Sequence, residues 1–401
     1  MRVGVGYSEN PDTVKAGRQA ADEALKSAAL DRPCDLALMF ATVRHEPRLL
    51  RATAASALGP ATPIYGGGAI GAITNEHFGY SGAQVVLAAI WLEDAKCEVF
   101  TQRGLNKGED KAGRRLGRKL AALDLDESSP VLLFYDAINR SQGDLRLLMA
   151  TPLIQGLEKG LGFLPALVGA GCMSDYDCSP TWQWTGRGVA QHSATALAFS
   201  GNIRLDSVIM HGCHPATCYY TVTKADSQVI LEIDGQPALS FLDRMLGKFI
   251  RIEDYPFFLT LGVNSGDKLA SFNAESYANR LCLGLDAERG GLVMFEPDMV
   301  AGTEFQLMYR SLDMDYIPPR VAGLFEGLGR RRPVFATYIN CAGRAAGHAG
   351  VDMEDAVVIQ RELAGRVPLL GIYSGVEIAA VKGRPQSLDW TGVLTLFSVD
   401  P

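Results

Sequence analysis

Apolar runs recur along this chain in one order, three times over. Leu36-Ala37-Leu38-Met39-Phe40, Val131-Leu132-Leu133-Phe134-Tyr135 and Val334-Phe335-Ala336-Thr337-Tyr338 each precede a segment with helical periodicity. Each then meets a second short apolar run that ends in small residues, at 63–68, 166–171 and 368–375, and a closing apolar strand, at 85–91, 195–200 and 393–397. This pattern predicts an α/β fold of two interlocked domains with mixed β-sheets, built from three β-α-β-β repeat units. Residues 2–7 read as a first strand and 12–29 as a helix after the start signal Asn10-Pro11-Asp12. Pro152 is expected to split the helical segment of the second unit into two short helices.

After Ser200 the pattern changes to short strand candidates at 207–210, 219–223 and 229–233, a turn at 235–237 and a helix over 238–249. Further strands are expected at 257–263, 277–283, 292–296 and 305–310. Pro318-Pro319 ends that run, and a helix to Leu328 follows. The domain boundary is placed at 236, giving 1–236 with two units and 237–401 with the inserted strands and the third.

The 401 residues carry 47% hydrophobic and 21% charged side chains, a globular profile. A net charge of −7 argues against a nucleic-acid surface, which needs clustered Lys and Arg. No apolar run approaches the roughly 18 residues of a membrane span, and no secretory leader opens the chain. The expected location is therefore the cytoplasm, with no membrane partner. There the eight cysteines are thiols, metal ligands or redox centres rather than bridges.

Three constellations can carry chemistry. Asn340-Cys341-Ala342-Gly343-Arg344 follows a predicted strand, at the edge where open α/β sheets hold ligands. A guanidinium beside a thiol recognises anions and can lower the thiol pKa. Glu377 follows the next strand and can pair with Arg344. The expected site is a cleft lined by Arg310, Cys341, Arg344 and Glu377, in which Arg344 binds an acidic group and Glu377 orients it. An enzyme with Cys341 as activated nucleophile is the alternative. A second constellation, Cys172, Cys178, Cys213 and His214, offers soft donors for a metal ion. The third is Gly66-Gly67-Gly68, which fits no dinucleotide fingerprint and reads as a turn or a ligand-contacting loop. His348 lies among small residues that leave room for a flat ligand.

Several of these stretches resemble FIST domains. Val5-Gly6-Tyr7-Ser8, residues 63–68, and Gly212-Cys213-His214-Pro215 followed by Thr221-Val222-Thr223 resemble the N-terminal FIST domain, which ends at a segment similar to Asp234-Gly235-Gln236-Pro237-Ala238. Leu261-Gly262-Val263 and residues 302–311, 340–344 and 368–377 resemble the C-terminal one. The resemblance implies a sensory module of signal transduction that binds a small ligand. Residues 338–344 and 354–360 are similar to stand-alone members that bind haem, sense nitric oxide and act on a histidine kinase or a cyclic-di-GMP enzyme (diguanylate cyclase or phosphodiesterase). With haem as cofactor, His214 or His348 is the expected iron ligand, with His211 the third candidate. No kinase or cyclase segment is fused in this sequence, so output is expected through a separate partner.

Overall fold

The computed structural model describes residues 1–401 except positions 31, 141, 142, 144, 248–258 and 312. The chain begins β1 (Arg2–Ser8), α1 (Thr13–Ala28), β2 (Leu36–Ala41), α2 (Pro47–Leu58), β3 (Ile64–Gly68), hairpin β4 (Gly71–Ile73) and β5 (Phe78–Tyr80), and β6 (Val85–Trp91). It continues β7 (Ala95–Arg103), α3 (Glu109–Leu120), β8 (Pro130–Asp136), a small hairpin β9 (Ile138–Asn139) and β10 (Arg146–Leu147), α4 (Ala150–Leu161), β11 (Ala166–Cys172), hairpin β12 (Gln183–Gly186) and β13 (Val189–Ala190), and β14 (Ser193–Gly201). After β15 (Arg204–Met210) come β16 (Cys213–Pro215), β17 (Tyr220–Asp226), β18 (Val229–Ile233), β19 (Gln236–Pro237), α5 (Ala238–Leu246), β20 (Thr260–Asn264), β21 (Tyr277–Asp286), β22 (Gly291–Met294) and β23 (Glu304–Arg310). The last stretch is α6 (Ile317–Gly327), β24 (Arg332–Cys341), a single turn α7 (Ala346–Ala349), α8 (Asp355–Leu363), β25 (Leu369–Ser374), hairpin β26 (Val376–Val381) and β27 (Arg384–Leu388), and β28 (Gly392–Val399).

Three mixed six-stranded sheets have the orders β1-β6-β2-β3-β12-β13, β7-β14-β8-β11-β26-β27 and β15-β28-β24-β25-β4-β5. In each, the third and fourth strands are the parallel pair (β2–β3, β8–β11 and β24–β25). The hairpins are exchanged in a ring. β4–β5 completes the third sheet, β12–β13 the first and β26–β27 the second. No sheet is complete without another stretch of the chain. The inner faces of the three sheets share one core, which holds Phe40, Phe134, Phe199, Phe335 and Phe397. Helices cover the outer faces, α1 and α2 over one and α3, α4, α6 and α8 over the others. Central strands covered on both faces are apolar along nearly their whole length, as in β2 and in β8 up to its last residue, Asp136, and every residue of both is buried.

Two close approaches need glycine. The Gly66-Gly67-Gly68 triplet is neither turn nor loop but strand β3, with Gly67 paired to Gln183. Gly66 has φ +115°, and a Cβ there would lie 2.1 Å from the Met39 carbonyl oxygen. Helices α3 and α4 cross backbone to backbone: a Cβ on Gly156 would lie 2.2 Å from the Asp110 oxygen, and one on Gly113 2.2 Å from the Leu153 oxygen. Gly156→Val is therefore expected to force the helices apart and lower stability by about 1–3 kcal/mol, read as a shifted urea midpoint at unchanged slope.

Pro152 does not split its helix. It is the third residue of α4, where a missing N–H has no intrahelical partner to lose. Pro318 and Pro319 likewise sit in the first turn of α6. The turn expected at 235–237 is shorter than that, because Gln236 and Pro237 already pair with β18. The end of the expected helix at 248–249 and the start of the expected strand at 257–258 lie outside the described residues.

Between β15 and α6 the chain builds a separate sheet. Strands β17, β18, β22, β21, β20 and β23 pair in sequence, and β23 returns to β17 at Tyr220↔Phe305, so the ladder closes into a barrel. Val222, Ile230, Leu261, Met294 and Phe305 form its core together with Phe241 of α5. Position 236 falls inside this sheet. The barrel is fastened to the sheets by buried polar contacts. Arg280 donates to the Ser387 oxygen at 3.0 Å, and the Leu281 N–H donates to Asp389 at 2.9 Å. Glu296 accepts from the Ala150 and Thr151 N–H groups, both at 2.9 Å. It thereby caps α4, whose own N-cap residue Met149 supplies no side-chain bond.

Candidate functional site

The parallel pair β24–β25 delivers its C-terminal ends to the seam between the third sheet and the barrel, and Arg344 sits at that seam. Its guanidinium is buried and fully engaged. Nη2 donates to Asp355 at 3.0 Å and to the Tyr316 hydroxyl at 2.6 Å, and Nε donates to Asn340 at 3.2 Å. Nη1 donates to the carbonyls of His211 at 2.9 Å and Trp390 at 3.4 Å. Asp355, the first residue of α8, also accepts from Tyr338 at 2.9 Å and Asn340 at 2.8 Å. One ion pair thus ties α8, β24, the barrel's exit strap and the β27–β28 turn together.

This placement changes the expected roles. Arg344 pairs with Asp355, not Glu377, and its charge is satisfied within the protein. Glu377 instead accepts from Ser374 at 2.9 Å and from the Thr391 N–H at 3.3 Å. Burial drives its carboxyl well above the usual carboxylate range. Cys341 is buried, and burial together with the neighbouring Glu377 pushes its thiol up, the reverse of an activated nucleophile.

Beside Arg344 opens a small crevice, about 30 Å³, that reaches from the barrel side (Arg310, Met314, Tyr316) to the sheet side (Arg344, Val351, Trp390), with His211 also lining it. Arg310 is half-buried at the end of β23. Its guanidinium lies over the Trp390 ring, 4.0 Å from the centroid. Among the described residues it makes no hydrogen bond and no ion pair. Trp390 is held at φ +54° in the left-handed region, a conformation that costs a bulky residue about 1–3 kcal/mol and gathers at ligand sites. Trp390 and Tyr316 were not among the expected residues. Their signals are faint: a tryptophan between polar Asp389 and Thr391 where two strands meet, and a tyrosine just before Ile317-Pro318-Pro319. A roomier cavity of about 300 Å³, lined by Thr42, Arg44, Ser174, Asp175 and Tyr176, lies at the ends of β2 and β11. It carries charges of both signs and takes no part in the seam.

The histidines and cysteines are dispersed. His211 is buried and both ring nitrogens are in use: Nε2 lies 3.0 Å from the Ala274 carbonyl, and Nδ1 accepts from the Cys213 N–H at 2.9 Å. Burial lowers its pKa to about 4, so the ring is neutral and Nε2 is the protonated nitrogen. A ring so engaged, beside a crevice of that size, does not fit an iron ligand facing a porphyrin. His214 stacks on Tyr309 at 5.5 Å, and His348 stacks on Tyr176 at 4.7 Å. The expected metal set Cys172, Cys178, Cys213 and His214 does not assemble. Cys172 lies in the core shared by the three sheets, while Cys213 packs with Tyr277, Met308 and Trp390. Among the described residues no group of three or more His, Cys, Asp or Glu is placed to hold a metal ion. No helix among them is long and apolar enough to cross a membrane.

Comparison with known proteins places these features in context. The FIST N domain matches residues 35–236 and the FIST C domain residues 238–380. The uncharacterized protein Rv0628c of Mycobacterium tuberculosis is 27% identical over 414 aligned positions, covering 99% of this chain and 100% of that protein. The uncharacterized protein Mb0898c of Mycobacterium bovis is 29% identical over 199 positions, covering 48% of this chain and 50% of its own. Among solved structures, the cyanuric acid hydrolase of A. caulinodans aligns with 100% of this chain and 99% of its own, at 9% identity and a TM-score of 0.33.

Proposed function

The chain belongs to the FIST family of sensory signalling domains, and on that premise we propose that it is a ligand-gated module whose ligand enters the seam between barrel and third sheet. The observation that carries this reading is Arg310, a half-buried guanidinium with no acceptor among the described residues, at the mouth of a crevice walled from both sides. A ligand bound there through an acidic group touches the barrel through Arg310 and the sheet side through Val351 and Trp390, which lie in two separate loops. It therefore favours the arrangement in which both walls are close, and the population shifts toward it. The surface offered to a partner protein changes with that packing. The common strand order of the three sheets supports reading the chain as three copies of one β-α-β-β unit, the third carrying the barrel as an insertion. On that view the ligand sits where the insertion joins its unit.

Arg310→Gln separates ligand binding from folding. It forfeits the stacking on Trp390 and is expected to lower stability by no more than about 1 kcal/mol. In a melting screen against organic acids, a ligand at about 100 times its Kd adds about 2.7 kcal/mol to the wild type and no more than about 1.4 kcal/mol to a variant that binds at least tenfold more weakly. Equal shifts in both proteins would place the ligand elsewhere.

A further inference from the structure

We infer that the seam crevice takes a compact, planar, singly charged oxyanion of the nitrate, formate or bicarbonate class, received by the Arg310 guanidinium edge and the Tyr316 hydroxyl. This rests on the seam reading above and adds the ligand's chemistry to it.

Charge, hydrogen bonding, size and shape point the same way. Two guanidiniums line the crevice, and one carboxylate, Asp355, neutralises one of them at 3.0 Å. His211 adds no charge. One positive charge is left for the ligand. The unused donors are equally specific. Among the described residues Arg310 has its N–H groups free of any protein acceptor, and the Tyr316 hydroxyl finds no acceptor but the Met314 sulfur, 3.7 Å away. A thioether is a weak acceptor, so an oxyanion would outcompete it. The volume of about 30 Å³ takes two to three water-sized groups at about 10–15 Å³ each, so the enclosed part of the guest is limited to about three heavy atoms. Finally, the Arg310 guanidinium lies over the Trp390 ring. The guanidinium is a planar fork of N–H donors, the geometry that matches a planar oxyanion in bidentate fashion. The apolar walls of Met314, Ala349, Val351 and Trp390 disfavour a strongly hydrated dianion, whose desolvation one positive charge does not offset.

Trp390 supplies the assay. The full chain is titrated with sodium nitrate, sodium formate, sodium bicarbonate, sodium sulfate and disodium succinate at constant ionic strength, balanced with sodium chloride, while tryptophan fluorescence and the melting temperature are followed. The expected result is a saturable fluorescence change with nitrate and formate, with Kd between about 0.1 and 10 mM, the range open to so few heavy atoms. In Arg310→Gln the Kd is at least tenfold weaker. In Tyr316→Phe it is at least threefold weaker, and in Trp390→Phe the fluorescence change is lost. The melting shift is an independent readout should Trp390→Phe fold poorly. A saturable, Arg310-dependent response to succinate or sulfate alone would overturn the compact class and leave the seam site standing. A response that never saturates and is equal in wild type and Arg310→Gln is a bulk salt effect and overturns the oxyanion. If the organic-acid screen also fails to distinguish those two proteins, the seam site falls with it.

Discussion

Arg344→Met is expected to lower the unfolding free energy by about 3–5 kcal/mol, the loss typical of a buried ion pair stripped of one partner. The methionine fills much of the volume but leaves Asp355, 1% exposed, with two neutral donors, Tyr338 and Asn340, and no cation. It also removes the donors that join the His211 and Trp390 carbonyls and the Tyr316 hydroxyl, so the barrel's exit strap loses its tie to the third sheet. The double variant Arg344→Met/Asp355→Leu tests the cause. If the loss comes from an uncompensated carboxylate, removing that carboxylate returns a large part of it, and the double variant is more stable than Arg344→Met alone. If the double variant is the weaker one, the hydrogen-bonded scaffold rather than the stranded charge dominates. Urea unfolding of the three proteins at one pH decides between these. The contrast with Arg310 is the informative part. Two arginines share one crevice, yet one is consumed by the fold and the other is free of it.

That division is hard to see in the sequence, and the reason is physical. The strands β2, β8 and β24 stand out because sheets covered on both faces demand unbroken apolar runs. Glu377 was the natural partner for Arg344 because both follow consecutive strands of one unit. The true partner, Asp355, opens an intervening helix, and only the register of α8 against β24 brings it within 3.0 Å. Pro152 misled for a related reason. A proline ends a helix or begins one depending on where the first turn lies. The capping residue that would have marked that turn is Glu296, 146 positions away on the barrel. The glycines of β3 answer a neighbouring backbone, the Met39 carbonyl, and no local pattern distinguishes that demand from a turn. Arg310, Arg344 and His211 do meet at one crevice, whereas Cys341 and Glu377 are buried and do not line it.

Stability is expected to fall as pH rises from about 5 to 8, opposite to the behaviour of a protein held by paired surface carboxylates. Burial raises Asp136 from 3.8 to about 7, and raises Asp389 from 3.8 to about 6 against the pull of Arg280. Burial, then the neighbouring Asp389, raises Glu296 from 4.5 to about 8. Glu377 is displaced the same way. For each, the folded chain holds a proton that the unfolded chain releases near pH 4. The contribution is therefore fully present below the unfolded value and is lost as pH climbs through the folded one. Each such group lowers stability by up to about 1.4 kcal/mol per pH unit in that interval. Asp110 and Asp286, held below the ordinary range by hydrogen bonds from Lys159 and Arg289 respectively, act in the opposite sense but only on the acid side of it. His211, lowered by burial from 6.5 to about 4, and His192 and His348, lowered by burial as well, also act in the opposite sense and offset part of the fall up to about pH 6.5. Urea midpoints at pH 5.0, 6.5 and 8.0 should decrease in that order. Asp136→Asn removes one titrating group while keeping an acceptor for the Ser193 N–H, so its profile should be flatter by one proton's slope up to about pH 7. Glu296→Gln should flatten the profile up to about pH 8. A wild-type midpoint that rises from pH 5.0 to 8.0 would mean that these carboxyls are ionised inside the fold. The barrel would then be anchored by the charge of Glu296 on the α4 N-terminus rather than by a neutral seam.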